Sequence, residues 1–149
     1  MHMKEILLMA AAAMIAVMSA WSETVTTEAE LRAALTGEYI NIKLGADITL
    51  SSYLLITQGQ IVTLDLNGHT LRRSGLTAAD RDGHVIEVDT GGSLTIDDDS
   101  SAKTGTITGG WAINGGGICN YGDLTINGGT ITGCKADDGG AITQQKHVT

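Results

Sequence analysis

Gly105-Thr106-Ile107-Thr108-Gly109 returns as Gly129-Thr130-Ile131-Thr132-Gly133, and Gly115-Gly116-Gly117-Ile118 returns as Gly139-Gly140-Ala141-Ile142, both displaced by 24 positions. A fixed displacement of that size means one structural unit laid on a copy of itself, each burying its apolar face against its neighbours. The units read as strands. An aliphatic-Thr-aliphatic triplet recurs at Ile48-Thr49-Leu50, Val62-Thr63-Leu64, Leu94-Thr95-Ile96 and Leu124-Thr125-Ile126. Period-two alternation puts the aliphatics on one face and the threonine on the other. Short β-branched strands broken by Gly and Asn at this period predict an all-β chain, a parallel solenoid.

Outward from the repeats, alternation persists in Ile40, Ile42 and Leu44 and in Val62, Leu64 and Leu66, and is less clear in Leu54-Leu55-Ile56. The step from Leu124-Thr125-Ile126 to Thr130-Ile131-Thr132 is six residues, while that from Leu94-Thr95-Ile96 to Thr106-Ile107-Thr108 is twelve. The excess lies in Asp97-Asp98-Asp99-Ser100-Ser101-Ala102-Lys103, expected as a solvated acidic loop at a corner. A second loop is expected from Arg72 to His84. Loops on a rigid scaffold are where binding usually resides. Asn67-Gly68, Asn114-Gly115 and Asn127-Gly128 fit left-handed corners between parallel strands. They also fit two-residue hairpins, which would make an antiparallel meander.

Upstream, Thr27-Glu28-Ala29-Glu30 reads as a capping box with Thr27 at N-cap and Glu30 at N3. Leu31, Ala34 and Leu35 form one apolar stripe and Gly37 ends the helix. Such a helix, in residues 23–37, is placed to cover the first turn of a solenoid spanning residues 38–143. Before it, Met1-His2-Met3-Lys4 and the apolar run Ile6 to Ala20 have the form of a signal peptide over residues 1–22. Cleavage sites are offered at Ala20-Trp21-Ser22 and at Val17-Met18-Ser19, and an uncleaved anchor is the alternative. The expected location is secreted or cell-surface, with no transmembrane span in the mature chain.

The formal charge of −8 survives loss of residues 1–22, which removes one Lys and one Glu. A pI near 4.7 argues against nucleic acid as a partner. With no Phe or Pro, two Trp and three Tyr, the chain has few flat rings on which to stack sugars. Twenty glycines suit a fold of many tight corners.

Asp97-Asp98-Asp99 is the densest acidic cluster, but consecutive residues cannot all face one site. It would offer Ca²⁺ oxygen ligands or carboxylates for glycosidic chemistry. Asp80, Asp82 and His84 alternate like metal ligands, without a second histidine cluster to complete a site. His69 reads as a surface corner residue, and Asp137-Asp138 as turn chemistry. No catalytic residue, metal or cofactor is expected. Cys119 and Cys134 are the candidates for a disulfide in an exported chain. They lie 15 apart rather than 24, so the alternative is two small buried hydrophobes.

The segment Asn114-Gly115-Gly116-Gly117-Ile118-Cys119-Asn120-Tyr121-Gly122-Asp123-Leu124-Thr125-Ile126-Asn127-Gly128-Gly129-Thr130-Ile131-Thr132-Gly133 resembles the Gly-Gly-aliphatic repeats of right-handed parallel β-helix surface proteins. That class includes polymorphic outer-membrane proteins, autotransporter-like passengers and adhesin-like exported proteins. Val62-Thr63-Leu64-Asp65-Leu66-Asn67-Gly68-His69-Thr70-Leu71 is similar to their first rungs, and the resemblance covers residues 24–143. It implies a non-catalytic scaffold that is adhesin-like or structural. The implied partners are host or neighbouring-cell surface proteins or further copies of itself, with a glycan also open. Cys119 stands where such repeats often carry an aromatic, and Cys134 where they often carry Asn. Gln144 to Thr149 reads as neither a rung nor a cap, which suggests the front part of a longer protein. The fold also hosts polysaccharide lyases and hydrolases. That enzymatic alternative needs Asp65, Asp89 or Asp97 gathered with an Arg in a cleft.

Overall fold

The computed structural model describes residues 21–145, so the expected leader falls almost wholly outside it. After an extended start at Trp21 and Ser22, the chain forms β1 (Glu23–Val25) and helix α1 (Glu28–Ala34). Three strands follow, β2 (Tyr39–Leu44), β3 (Ile48–Leu50) and β4 (Leu54–Ile56). A second circuit comprises β5 (Ile61–Asp65), β6 (Thr70–Arg73) and β7 (Ile86–Val88). The third comprises β8 (Ser93–Asp97), β9 (Thr106–Thr108), β10 (Trp111–Asn114) and β11 (Ile118–Asn120). The fourth repeats it with β12 (Asp123–Ile126), β13 (Thr130–Ile131), β14 (Lys135–Asp138) and β15 (Ile142–Gln144).

The strands sort into a first sheet β1-β2-β5-β8-β12, a second β3-β6-β9-β13, a third β4-β7-β11-β15 and a pair β10-β14. Every ladder among the described residues is parallel, which removes the antiparallel meander. The 24-residue displacement read from sequence is the register itself. Ile107 pairs with Ile131, Trp111 with Lys135 and Ile118 with Ile142. In the first sheet the step from Leu94 to Leu124 is longer by the inserted corner. The chain is thus nearly all β, with parallel sheets.

The core is a set of aligned columns. Ile40, Val62, Leu94 and Leu124 lie in one, and Ile42, Leu64, Ile96 and Ile126 in the next. Leu54, Ile86, Ile118 and Ile142 form the column of the third sheet. Stacking branched aliphatics excludes water from both neighbours, at roughly 25 cal/mol per Å² of apolar surface. Inside the third sheet, the side chain of Asn120 is fully buried and donates to Gln144, one repeat later. Its oxygen accepts from the Gly122 N–H, so the amide is satisfied at the corner.

The ladders add detail to the sequence reading. Ile48-Thr49-Leu50 belongs to the second sheet, pairing with Leu71 to Arg73, whereas the other three Thr triplets share the first sheet. The N-terminal region holds a strand as well as the helix, since β1 pairs with β2. Gln144 and Gln145 are part of the last circuit: β15 reaches Gln144, and the Gln145 N–H donates to the Asn120 carbonyl.

At the N-terminal end α1 covers the first circuit. Thr27 caps it, its Oγ1 accepting from the Glu30 N–H at 3.1 Å. The reciprocal Glu30 bond goes one residue further back, to the Thr26 N–H at 2.7 Å. Leu31 and Ala34 enter the core, while Gln60 donates to the carbonyls of Leu35 and Gly37 and so closes the helix C-terminus. Asn67 and Gly68 both take positive φ, as in a hairpin turn. Here they turn a corner instead, for β6 pairs with β3 and β9 and never with β5. At the tightest corner, a Cβ on Gly110 would run into the Gly116 carbonyl, so that position admits no side chain.

Candidate functional site

Three surface features compete as sites. The first is the acidic corner after β8, where Asp98 is 3 % exposed rather than solvated. Its Oδ1 accepts from the Gly68 N–H at 2.9 Å and the Ser100 hydroxyl at 2.6 Å, and its Oδ2 from the Gly105 N–H at 2.8 Å. Burial opposes its charge, but these hydrogen bonds prevail and hold its pKa below the ordinary value. Asp65 Oδ1 likewise accepts from the Asn67 and Asp99 N–H groups. The expected solvated loop is therefore a corner built around an inward carboxylate. Asp97 and Asp99 alternate outward and, with Asp65, Lys43 and Thr63, line a shallow crevice of about 190 Å³. Lys43 Nζ is 3.8 Å from Asp65 Oδ2. Asp89, after β7, does not line this crevice.

The second feature is the 74–85 loop, which lies against β10 and the third sheet. Arg73 anchors it from beneath by donating to the Asp82 and His84 carbonyls at 2.9 and 2.8 Å. The Asp80 N–H donates to the Trp111 carbonyl, and the Asp80 carbonyl accepts from the Ile113 N–H. Between this loop and the outer face of the third sheet is a crevice of about 380 Å³. Glu87 and Cys119 meet there because β7 and β11 pair them directly, with Tyr121 just beyond. Arg81, Asp82, Ile113 and Asn114 form the remaining walls, and His84 closes the crevice from below.

His84 is 1 % exposed, its ring centroid 4.7 Å from that of Tyr53. Its Nε2 is 2.9 Å from Glu87 Oε2, yet off the line of a ring N–H, so neither ring nitrogen makes a directed hydrogen bond. Burial drives its pKa down to about 4; Asp82 pulls the other way, and Arg73 adds to the fall. Glu87 is pushed up by burial, then by Asp89 and Asp82. Tyr121 rises to about 12, first through its hydrogen bond with Cys119, then through burial and the nearby carboxylates. The imidazole is neutral at physiological pH and gives Glu87 no balancing charge. Of Asp80, Asp82 and His84, the last two line one crevice and Asp80 does not, so the three do not form one site. No group of three metal-binding side chains forms among the described residues.

The third feature is a cleft of about 500 Å³ beside β2, lined by Trp21, Glu23, Thr36, Tyr39 and Asn41. Trp21 and Tyr39 are 74 % and 53 % exposed, and Tyr39 pairs across the sheet with the exposed Ile61. Composition correctly limits the number of rings, but the fold sets two of them at one cleft.

Cys119 and Cys134 are both free thiols. Cys119 is buried on the third sheet, while Cys134 stands before β14 with its Sγ toward the Thr132 carbonyl. Burial raises both thiol pKa values. His69 is a surface corner residue, its Nδ1 3.4 Å from Asp47. Asp137 and Asp138 lie in β14 rather than in a turn, and the Asp138 carbonyl accepts from the Thr143 hydroxyl. The Glu87–Cys119–Tyr121 grouping escapes sequence reading because β7 and β11 are offset by a loop-dependent step instead of 24. No helix among the described residues is long and apolar enough to cross a membrane. No family model, curated protein or solved structure matches the chain.

Proposed function

We propose that the chain is an exported right-handed parallel β-helix that acts as a cell-surface scaffold, adhesin-like or structural, without catalytic activity. The observation that carries this reading is the coincidence of the 24-residue sequence displacement with the ladder register at β9–β13, β10–β14 and β11–β15. Stacking of that kind makes a stiff body whose outer faces and corner loops are held in place for contact. One outward column of the first sheet is polar throughout, Asn41, Thr63, Thr95 and Thr125. Residues 1–22 serve in this reading as the export signal. The partner is a surface protein of a host or neighbouring cell.

The test is binding of the labelled exported chain to intact cells. Saturable binding, displaced by unlabelled chain, supports the scaffold reading, and binding that never saturates sinks it. Self-association without cell binding would leave a secreted, self-assembling structural repeat. One observation favours an enzymatic alternative: Asp65, Asp97 and Asp99 share a crevice with Lys43 on a parallel sheet. It supplies Lys where that chemistry needs an Arg, and Asp65 Oδ1 is occupied by two backbone N–H groups. New reducing or unsaturated ends released from acidic polysaccharides would move the assignment to that class.

A further inference from the structure

We propose that the crevice between the 74–85 loop and the outer face of the third sheet receives the cationic end of a partner protein's lysine or arginine side chain. The inference deepens the scaffold reading and rests on it for the partner being a protein. Two carboxylates face the space, Asp82 at the rim and Glu87 on the floor. Asn114 and Tyr121 add uncharged oxygens, and Ile113, 37 % exposed, gives an apolar wall for a methylene stem.

The independent observation is His84. It is buried beneath the crevice with no directed hydrogen bond at either ring nitrogen, and Nε2 abuts Glu87. A neutral imidazole leaves that half-buried carboxylate uncompensated, and no Lys or Arg forms an ion pair with it among the described residues. The neighbouring groups report the same field. Nearby carboxylates help to raise Glu87, Tyr53 and Tyr121. Among the described residues Arg81 is the one cation in the lining, which also holds Asp82 and Glu87, and Asp89 acts on Glu87 as well. An ammonium carries three donors and no acceptor, which suits two carboxylates and a neutral oxygen. An anion would meet the carboxylates head-on. A metal ion lacks a converging ligand set among the described residues.

The experiment is an NMR titration of the isotope-labelled chain with N-acetyl-lysine amide and n-butylammonium, with methyl glucoside as the neutral probe. The expected result is saturable shifts confined to residues 80–88 and 112–121 with both amines. Glu87→Gln should weaken binding about tenfold or more and Asp82→Asn several-fold, with high salt weakening it further. Should Glu87→Gln fail to fold, Asp82→Asn at the exposed rim carries the test. Shifts spread over every acidic patch without saturation would overturn the proposal. So would unchanged affinity in the folded variants, or a response to glucoside alone. Cell binding without amine binding would remove the crevice and leave the scaffold reading standing; amine binding without cell binding would do the reverse.

Discussion

The circuit of β5, β6 and β7 and the circuit of β12 to β15 are built on one plan, yet sequence regularity and burial run opposite in them. The earlier circuit has uneven loops and no visible period, but Val62, Leu64, Leu71, Ile86 and Val88 are all buried. The later circuit repeats its predecessor at a constant 24, yet Leu124, Ile131 and Ile142 are only partly buried and Ile126 is 42 % exposed. A column residue is dried by the circuits on both sides of it. Among the described residues, the earlier circuit has a neighbour on each side and the later one has a neighbour on one. A clean repeat marks where the chain copies itself, not where its stability resides.

The sharpest way to break that comparison uses one column. Ile96, 1 % exposed, and Ile126 pair directly. Ile96→Ala should cost about 3 kcal/mol or more in denaturant unfolding, and Ile126→Ala about 1 kcal/mol or less. Equal losses would mean that the last circuit is covered in solution.

Next in size is the corner that joins the second, third and fourth circuits. Asp98→Ala orphans the Gly68 and Gly105 N–H groups and should cost on the order of 3 kcal/mol. Because its folded pKa lies below the ordinary value, the carboxylate stabilises above that value and loses its effect as pH falls through the folded pKa. A loss no larger than that of Asp137→Asn on exposed β14 would refute the inward role of Asp98.

A separate acid limb belongs to His84. Its pKa falls from 6.5 to about 4 on folding, so the unfolded chain binds the proton more readily between these values. Stability should therefore decline as pH drops from about 6.5 toward 4. Glu87, shifted upward, works in the opposite sense and reduces the decline. His84→Phe keeps a ring against Tyr53 and should flatten the slope; an unchanged slope would place the proton elsewhere.

The smallest effect is kinetic. Cys134, in the later circuit, should react with a thiol reagent well before Cys119, which is 2 % exposed. Two thiols should titrate after unfolding without reductant. None titrating would mean that the pair is bridged.

Much of the architecture was legible because it depends on local chemistry. Thr27 and Glu30 declare a helix start wherever a helix can pack. The difference between the six- and twelve-residue steps correctly located the inserted corner. The sites were less legible. Asp98 looks in sequence like its neighbours Asp97 and Asp99, and only the approach of Gly68 from another circuit turns it inward. Asn120 and Gln144 lie 24 apart, a signal that was available and that their polar character concealed.

The period, the alternation and the capping residues are properties of a chain with itself at short range, so composition and spacing carry them. Which residues share a face across circuits depends on loop lengths that differ from one circuit to the next. Glu87 meets Cys119 because β7 pairs with β11, and His84 sinks beneath them because the 74–85 loop is held down by Arg73 and by backbone bonds to β10. Those are long-range contacts, and burial, charge balance and pKa follow from them rather than from the order of residues.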